Sequence, residues 1–237
     1  MTRALRGVVR SCSSLLAASL LCACAGTVPL TASIEAPRYA VGDRWQYRIV
    51  DNLRRGAVSR LDVEVQAVSP GATTVAFALT DADGRSTWTE QLDARGRLVS
   101  GPYPPSLSQR FDPAIELVAY PLGSDTVWRE VVPTVRRDLD NIPGEILIYG
   151  AVEGRLSVTV PAGTYDGALL YRIVQFDDEQ FWRTRTVRRE QVVIAPEVKG
   201  IVRERREAEY AEMGGPDNAV VRTESTLREL VSFTPGR

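Results

Sequence analysis

The chain has 237 residues, 44% hydrophobic and 25% charged, with 29 basic side chains, 30 acidic ones and no histidine. Its three cysteines, Cys12, Cys22 and Cys24, all lie in the first 24 residues. Zinc, copper or haem sites built on those ligands are thereby excluded from the body, as are Ser-His-Asp and Cys-His nucleophiles and histidine proton shuttles. Carboxylates, tyrosines, arginines and the lone lysine Lys199 remain for chemistry, and no cofactor or metal is expected.

Arg3, Arg6 and Arg10 form a positive n-region, and Leu15, Leu16, Ala17, Ala18, Leu20 and Leu21 an apolar h-region, the layout of a secretory signal. The stretch is too short for a membrane-spanning helix, which needs about 20 residues. Its end, Leu21-Cys22-Ala23-Cys24, resembles the lipobox of bacterial lipoproteins. That resemblance implies cleavage between Ala23 and Cys24 and attachment of acyl chains such as palmitate to Cys24. Two or more chains give stable membrane anchoring where one does not. By the same resemblance, Ala25 after the cysteine points to the outer membrane, with the body facing the periplasm.

Removing a signal of residues 1–23 takes three arginines and no acid, leaving 214 residues and a net charge of −4. A mildly acidic body argues against nucleic acid as a partner. A body of this size buries a core without disulfides. Residues 24–38, with Pro29 and Pro37 and no hydrophobic period, read as a lipidated tether. Extended, 14 residues of it would reach about 45–50 Å at roughly 3.3–3.6 Å each.

From Tyr39 to Arg237 the pattern is that of strands in a periplasmic β domain. Leu61, Val63, Val65 and Ala67 alternate with Arg60, Asp62, Glu64 and Gln66, the signature of a half-buried strand. Val75, Phe77 and Leu79 repeat it, as do Leu156, Val158 and Val160, whereas Leu169 to Phe176 is apolar on both faces. Asp83-Gly84 and Arg95-Gly96 sit where hairpin turns are needed. Strands are expected at 44–53, 59–69, 73–82, 86–94, 97–100, 126–135, 146–160, 168–177, 183–195, 200–210 and 219–233. One short helix is expected at 113–119, with Asp112 as N-cap, Pro113 in its first turn and Ile115, Leu117 and Val118 as its apolar side.

The fold class is mainly β: a curved antiparallel sheet or half-barrel. Residues 39–100 and 120–237 each open on a glycine turn and a tryptophan, Trp45 and Trp128, which two similar half-sheets would explain as well as the ordinary repetition of turns would. Val160-Pro161-Ala162-Gly163-Thr164-Tyr165, Ala195-Pro196-Glu197-Val198-Lys199-Gly200-Ile201-Val202 and the opener Gly42-Asp43-Arg44-Trp45 resemble an uncharacterised group of β-rich bacterial envelope proteins. Gly163 and Gly200 supply backbone freedom at these turns, and Lys199 lengthens the second by a residue. The style also resembles the half-barrels of periplasmic lipoprotein carriers, a likeness of fold and not of function.

Candidate sites are few. Asp81-Ala82-Asp83-Gly84 opens like a calcium loop, but its twelfth position is Leu92 instead of glutamate, so a hairpin turn is expected. Asp177-Asp178-Glu179 reads as a solvated acidic turn. Arg183, Arg185, Arg203 and Arg205 would form a basic surface if their strands pair, while interleaved glutamates favour ion pairs on a wet face. The four tryptophans and Tyr47 and Tyr171 suit a core better than a groove. Three functions follow in order: non-catalytic binding of a hydrophobic ligand such as lipid, docking on an envelope protein, and, last, a carboxylate-based hydrolase.

Overall fold

A computed structural model describes residues 27–103, 108–136, 139–177, 182–213 and 219–237. Twelve strands follow in chain order: β1 (Arg44–Asp51), β2 (Ala57–Ser69), β3 (Ala72–Asp81), β4 (Gly84–Asp93), β5 (Leu98–Pro102) and β6 (Ser108–Ile115), then β7 (Val127–Arg136), β8 (Ile142–Val160), β9 (Gly163–Phe176), β10 (Thr186–Ala195), β11 (Gly200–Met213) and β12 (Ala219–Thr234). They build one antiparallel sheet in the order β6-β5-β4-β3-β2-β1-β12-β11-β10-β9-β8-β7. Every neighbour is a sequential hairpin except β12 against β1, which joins the two ends of the chain. The sheet curls until its edge strands β6 and β7 approach each other, leaving a barrel closed but for one seam. Side chains bridge that seam. The Glu116 N–H donates to the Glu130 carboxylate at 2.7 Å, and the Trp128 indole N–H donates to the Glu116 carbonyl at 3.1 Å.

Alternation makes the interior. On β2, Leu61, Val63 and Val65 are buried between more exposed neighbours, as the pattern predicts. Two apolar clusters fill the space. One gathers Leu98, Phe111, Ile115, Trp128, Ile146, Ile148, Leu170 and Val174; the other gathers Trp45, Tyr47, Leu61, Val65, Val160, Val202 and Leu230. Each large side chain so buried stabilises the fold by about 1.5–3 kcal/mol. Trp88 is half-buried and stacks on Phe77, its cross-strand partner, at 5.1 Å between ring centroids.

Eleven of the twelve strands lie where alternation places them, and β6 does not. Residues 113–119 form no helix: Pro113, Ala114 and Ile115 end β6, with Leu98 of β5 opposite Ile115. Phe111 and Ile115 are both buried, and a separation of four residues lies on one face of a strand as well as of a helix. Pairing with β5 settles between them. Thus β1–β4 fall within 39–100, β5 runs two residues past it to Pro102, and β7–β12 lie within 120–237, with the unforeseen β6 between.

The described part of the expected tether, 27–38, is not a free spacer. Val28 pairs with Arg155, and Ile34 pairs with Leu122 through two backbone hydrogen bonds of 2.9 and 2.8 Å. Leu30 and Ile34 pack on the first apolar cluster. At Gly154, a Cβ would meet the Val28 carbonyl at 2.6 Å, and the backbone there has φ of +136°, so only glycine lets the segment lie down. The second turn of the resemblance differs too. Pro196–Val198 make a single 3-10 turn, and the left-handed residue is Lys199, at φ of 52°, instead of Gly200.

Candidate functional site

Two places in the barrel carry features that packing alone does not require: the outer face beside the amino-terminal segment, and an ion cluster inside.

On the outer face, β7 presents Val127, Val131 and Val135 to solvent, the first of them 60% exposed. The register sets Val127 opposite Ala151, Arg129 opposite Tyr149 and Val131 opposite Leu147. An apolar stripe therefore runs along β7 and β8, interrupted by Arg129 and Glu145. Beyond Val127 the free edge of β8 is occupied by Thr126, whose carbonyl accepts from the Val152 N–H, and then by Val28 opposite Arg155. Val28 itself is exposed.

The interior holds charge as well as hydrocarbon. Inward positions read Ala168, Leu170, Arg172, Val174 and Phe176 on β9, and Thr186, Arg188, Glu190, Val192 and Ile194 on β10. Glu204 and Arg206 of β11 and Arg228 of β12 complete the ring, placed by the registers Glu190–Arg206 and Glu204–Arg228. Arg172 Nη2 stands 2.7 Å from Glu190 Oε2 and 3.6 Å from Glu204 Oε1. Arg206 reaches both carboxylates at 3.1 Å, and Arg228 reaches Glu204 at 2.6 Å. Arg172 also donates to the Leu117 carbonyl at 2.8 Å, tying the β6–β7 connection to the cluster.

Burial alone would raise the pKa of both glutamates. The surrounding guanidinium groups outweigh it: Arg206, Arg228, Arg172 and Arg188 hold Glu204 far below the usual carboxylate range, and Arg172 leads the same effect at Glu190. Burial likewise opposes the charge on Arg206, but Glu204 and Glu190 raise its pKa further. Both acids are ionised, and a carboxylate so engaged is a poor general acid or base at neutral pH. Among the described residues, no three metal-ligating side chains gather at one point.

The residues singled out in the sequence are distributed differently. Arg203 and Arg205 share the outer face of β11, and Arg205 pairs with Glu207 at 2.8 Å. Arg183 lies opposite Glu212, nine residues further along that strand, or roughly 30 Å from Arg203. Arg185 pairs with Glu145 and Asp177. The four arginines are not brought together. Asp81 accepts from the Asp83 and Gly84 N–H groups as a hairpin turn should. Trp45 and Trp128 are core and Tyr47 is buried, whereas Trp182, expected in the core, is 41% exposed. Cys24, Ala23 and the whole signal of residues 1–23 lie outside the described residues, as do Asp178 and Glu179 of the acidic turn. The interior cluster is the element that the sequence reading missed. Its signal was parity: Glu190 and Arg188 continue the row of Ile194 and Val192.

A depression of about 480 Å³ also opens on the sheet, bordered by Tyr47, Val58 and Val231 but equally by Arg48, Arg60 and Asp81.

No protein-family model matches the chain, and no curated protein does. Among solved structures it is similar to a "putative lipoprotein" from Parabacteroides distasonis, at 13% identity and a TM-score of 0.48, over 86% of this chain and 100% of that one. It is also similar to a "putative exported protein with YmcC-like fold" from Bacteroides fragilis, at 11% identity and a TM-score of 0.44, again over 86% and 100%.

Proposed function

We propose that this chain is a non-catalytic envelope lipoprotein, anchored through acylated Cys24, whose barrel rests with its β7–β8 face against the lipid leaflet and serves there as a rigid interaction module. The pairing of Val28 with Arg155 carries this reading. Val28 lies four positions after Cys24, a reach of at most about 14 Å. The apolar stripe begins at Val127, four residues along β8 from that pairing, or about 13 Å. Anchor and stripe thus reach the same leaflet together. Ala25 favours the outer membrane, facing the periplasm.

Carriage of a hydrophobic ligand needs an empty apolar concavity of several hundred Å³. Two apolar clusters and the ion cluster occupy the interior, and the depression on the sheet is rimmed by charge. Docking through the outer face is therefore the better-supported role, and neither catalysis nor nucleic acid enters it.

Labelled palmitate should mark the full chain and fail to mark Cys24→Ser. With Cys24 acylated, the body has no other thiol, so a polarity-sensitive dye at Val131→Cys reports on that face alone. In native membranes it should be quenched by spin-labelled lipid, whereas the same dye at Val68→Cys should not. A water-accessible Val131 dye, or one crosslinked to a protein instead of lipid, would overturn the leaflet assignment.

A further inference from the structure

The outer face of β7 to β10 carries one row that charge brackets at both ends. Arg129 lies opposite Tyr149, Tyr149 opposite Ile173, and Ile173 opposite Arg189. Each alternates with a buried or inward neighbour, so all four point outward. The two arginine positions are therefore about 14 Å apart, three strand spacings, with a tyrosine and an isoleucine between them. The adjoining rows are apolar: Val127, Ala151 and Tyr171 lie on the anchor side, and Val131 faces Leu147 on the other.

Neither arginine is neutralised. Both are exposed, and neither makes an ion pair among the described residues. Elsewhere on the outside Arg44 pairs with Glu64, Arg60 with Asp62 and Arg155 with Asp166. The acids closest in register are taken: Glu207, opposite Arg189, holds Arg205, and Glu145 holds Arg185. Glu130 follows Arg129 but turns to the seam, where it accepts the Glu116 N–H. Glu153 is exposed, four positions along β8 from Tyr149, or about 13 Å.

We propose that Arg129 and Arg189 make this face selective for a leaflet rich in acidic phospholipid. Each guanidinium takes a headgroup phosphate while the tract between them meets the acyl boundary. The proposal rests on the leaflet orientation given above and adds the lipid class to it. An arginine lays its hydrocarbon stem along apolar surface and keeps its charged fork at headgroup level, where phosphate oxygens match it in pairs. Tyrosine suits the same depth, with its ring in the apolar region and its hydroxyl in the wet one. A neutral leaflet satisfies the valines and the rings alone. An acidic one also supplies the two counter-charges that the protein withholds.

The test uses the full acylated chain with the polarity-sensitive dye at Val131→Cys, reconstituted into phosphatidylcholine vesicles with or without about 30% phosphatidylglycerol. Quenching by spin-labelled lipid gives the ratio of docked to undocked protein. Phosphatidylglycerol should raise that ratio about 30-fold, roughly fivefold for each arginine. Salt at about 1 M, where screening acts within about 3 Å, should remove most of the rise. Arg129→Gln and Arg189→Gln should each forfeit about fivefold, and the double variant the whole effect. Both side chains are exposed, so neither change disturbs the fold. Arg44→Gln removes the same charge from a distant strand and should leave the ratio as in the parent. Equal docking on both vesicles would overturn the lipid selectivity while the orientation stands. A dye docked on neither would overturn both. A phosphatidylglycerol effect that survives in the double variant, or that Arg44→Gln weakens as much, would overturn the role of Arg129 and Arg189.

Discussion

Lys199 Nζ stands 2.9 and 2.8 Å from the two carboxylate oxygens of Asp43, which precedes it by 156 residues and is wholly buried. The same carboxylate accepts the Ala40 N–H at 2.7 Å and the Gly236 N–H at 2.8 Å. One side chain thus pins the entry to β1, the turn after β10 and the end of the chain. Burial pushes its pKa up, but hydrogen bonds from Lys199, Gly236 and Ala40 outweigh that and hold it below the ordinary value.

Lys199→Met should therefore destabilise the barrel by about 3–5 kcal/mol, because a buried carboxylate loses its counter-charge. Urea unfolding checks this; a loss under about 1 kcal/mol would show the pair to be incidental.

The direction of the Asp43 shift also fixes a pH dependence. A carboxylate depressed in the folded state contributes stability in full above its unfolded pKa of about 3.9, and that contribution is lost as the pH falls toward the folded value. Glu190 and Glu204 act with the same sign. Stability should hold from neutrality down to about pH 5 and fall steeply below pH 4. In Asp43→Asn the fall should be shallower from a lower starting point, measured by urea midpoints across that range.

Inner and outer charges should differ sharply in weight. Glu204→Gln takes the carboxylate from Arg228, leaves Arg206 with Glu190 alone, and should cost about 3–5 kcal/mol. Arg205→Ala, one position along but facing water, should change stability by less than about 0.5 kcal/mol. Similar losses in both would contradict the inward placement of Glu204.

Trp128 lies directly over Gly150, its cross-strand partner, so that a Cβ there would meet ring atoms at 2.1 to 2.4 Å. Gly150→Ala should cost about 1–3 kcal/mol by overpacking. It should also shift the tryptophan emission as the ring is displaced from the β6–β7 seam. An unchanged spectrum with unchanged stability would refute this packing.

Gly154→Ala tests the docked segment. It should push Val28 away and speed hydrogen exchange at the Arg155 amide by roughly tenfold or more, since that N–H donates to Val28. Exchange as slow as in the parent would mean that Val28 is held by other contacts.

The strands were legible because period-two alternation survives wherever one face of a strand is buried, as at Leu61, Val63 and Val65. The strand β6 was hidden because Phe111 and Ile115 satisfy two periods at once, and only the need of β5 for a partner separates them. The interior cluster was hidden for a different reason. Charge type suggested the wet face, while parity placed Arg188, Glu190 and Glu204 in the apolar row; in a tertiary context position overrides type. The docking of residues 27–38 left no periodic trace, because two isolated backbone pairings at Val28 and Ile34 impose no pattern on the residues between. Lys199 stood out in composition, yet nothing in the sequence linked it to Asp43.

The pairing of β1 with β12 has a consequence for how the barrel can be assembled. A chain made from its amino end possesses β1 early, yet residues 219–234, which must lie beside it, are synthesised only after all the other strands. Through that interval Trp45 and Tyr47 lack the strand that covers one side of them, while β7 to β11 can already zip into successive hairpins. Closure is a late event that waits on β12, and loss of residues 219–234 should leave an open edge instead of a smaller barrel.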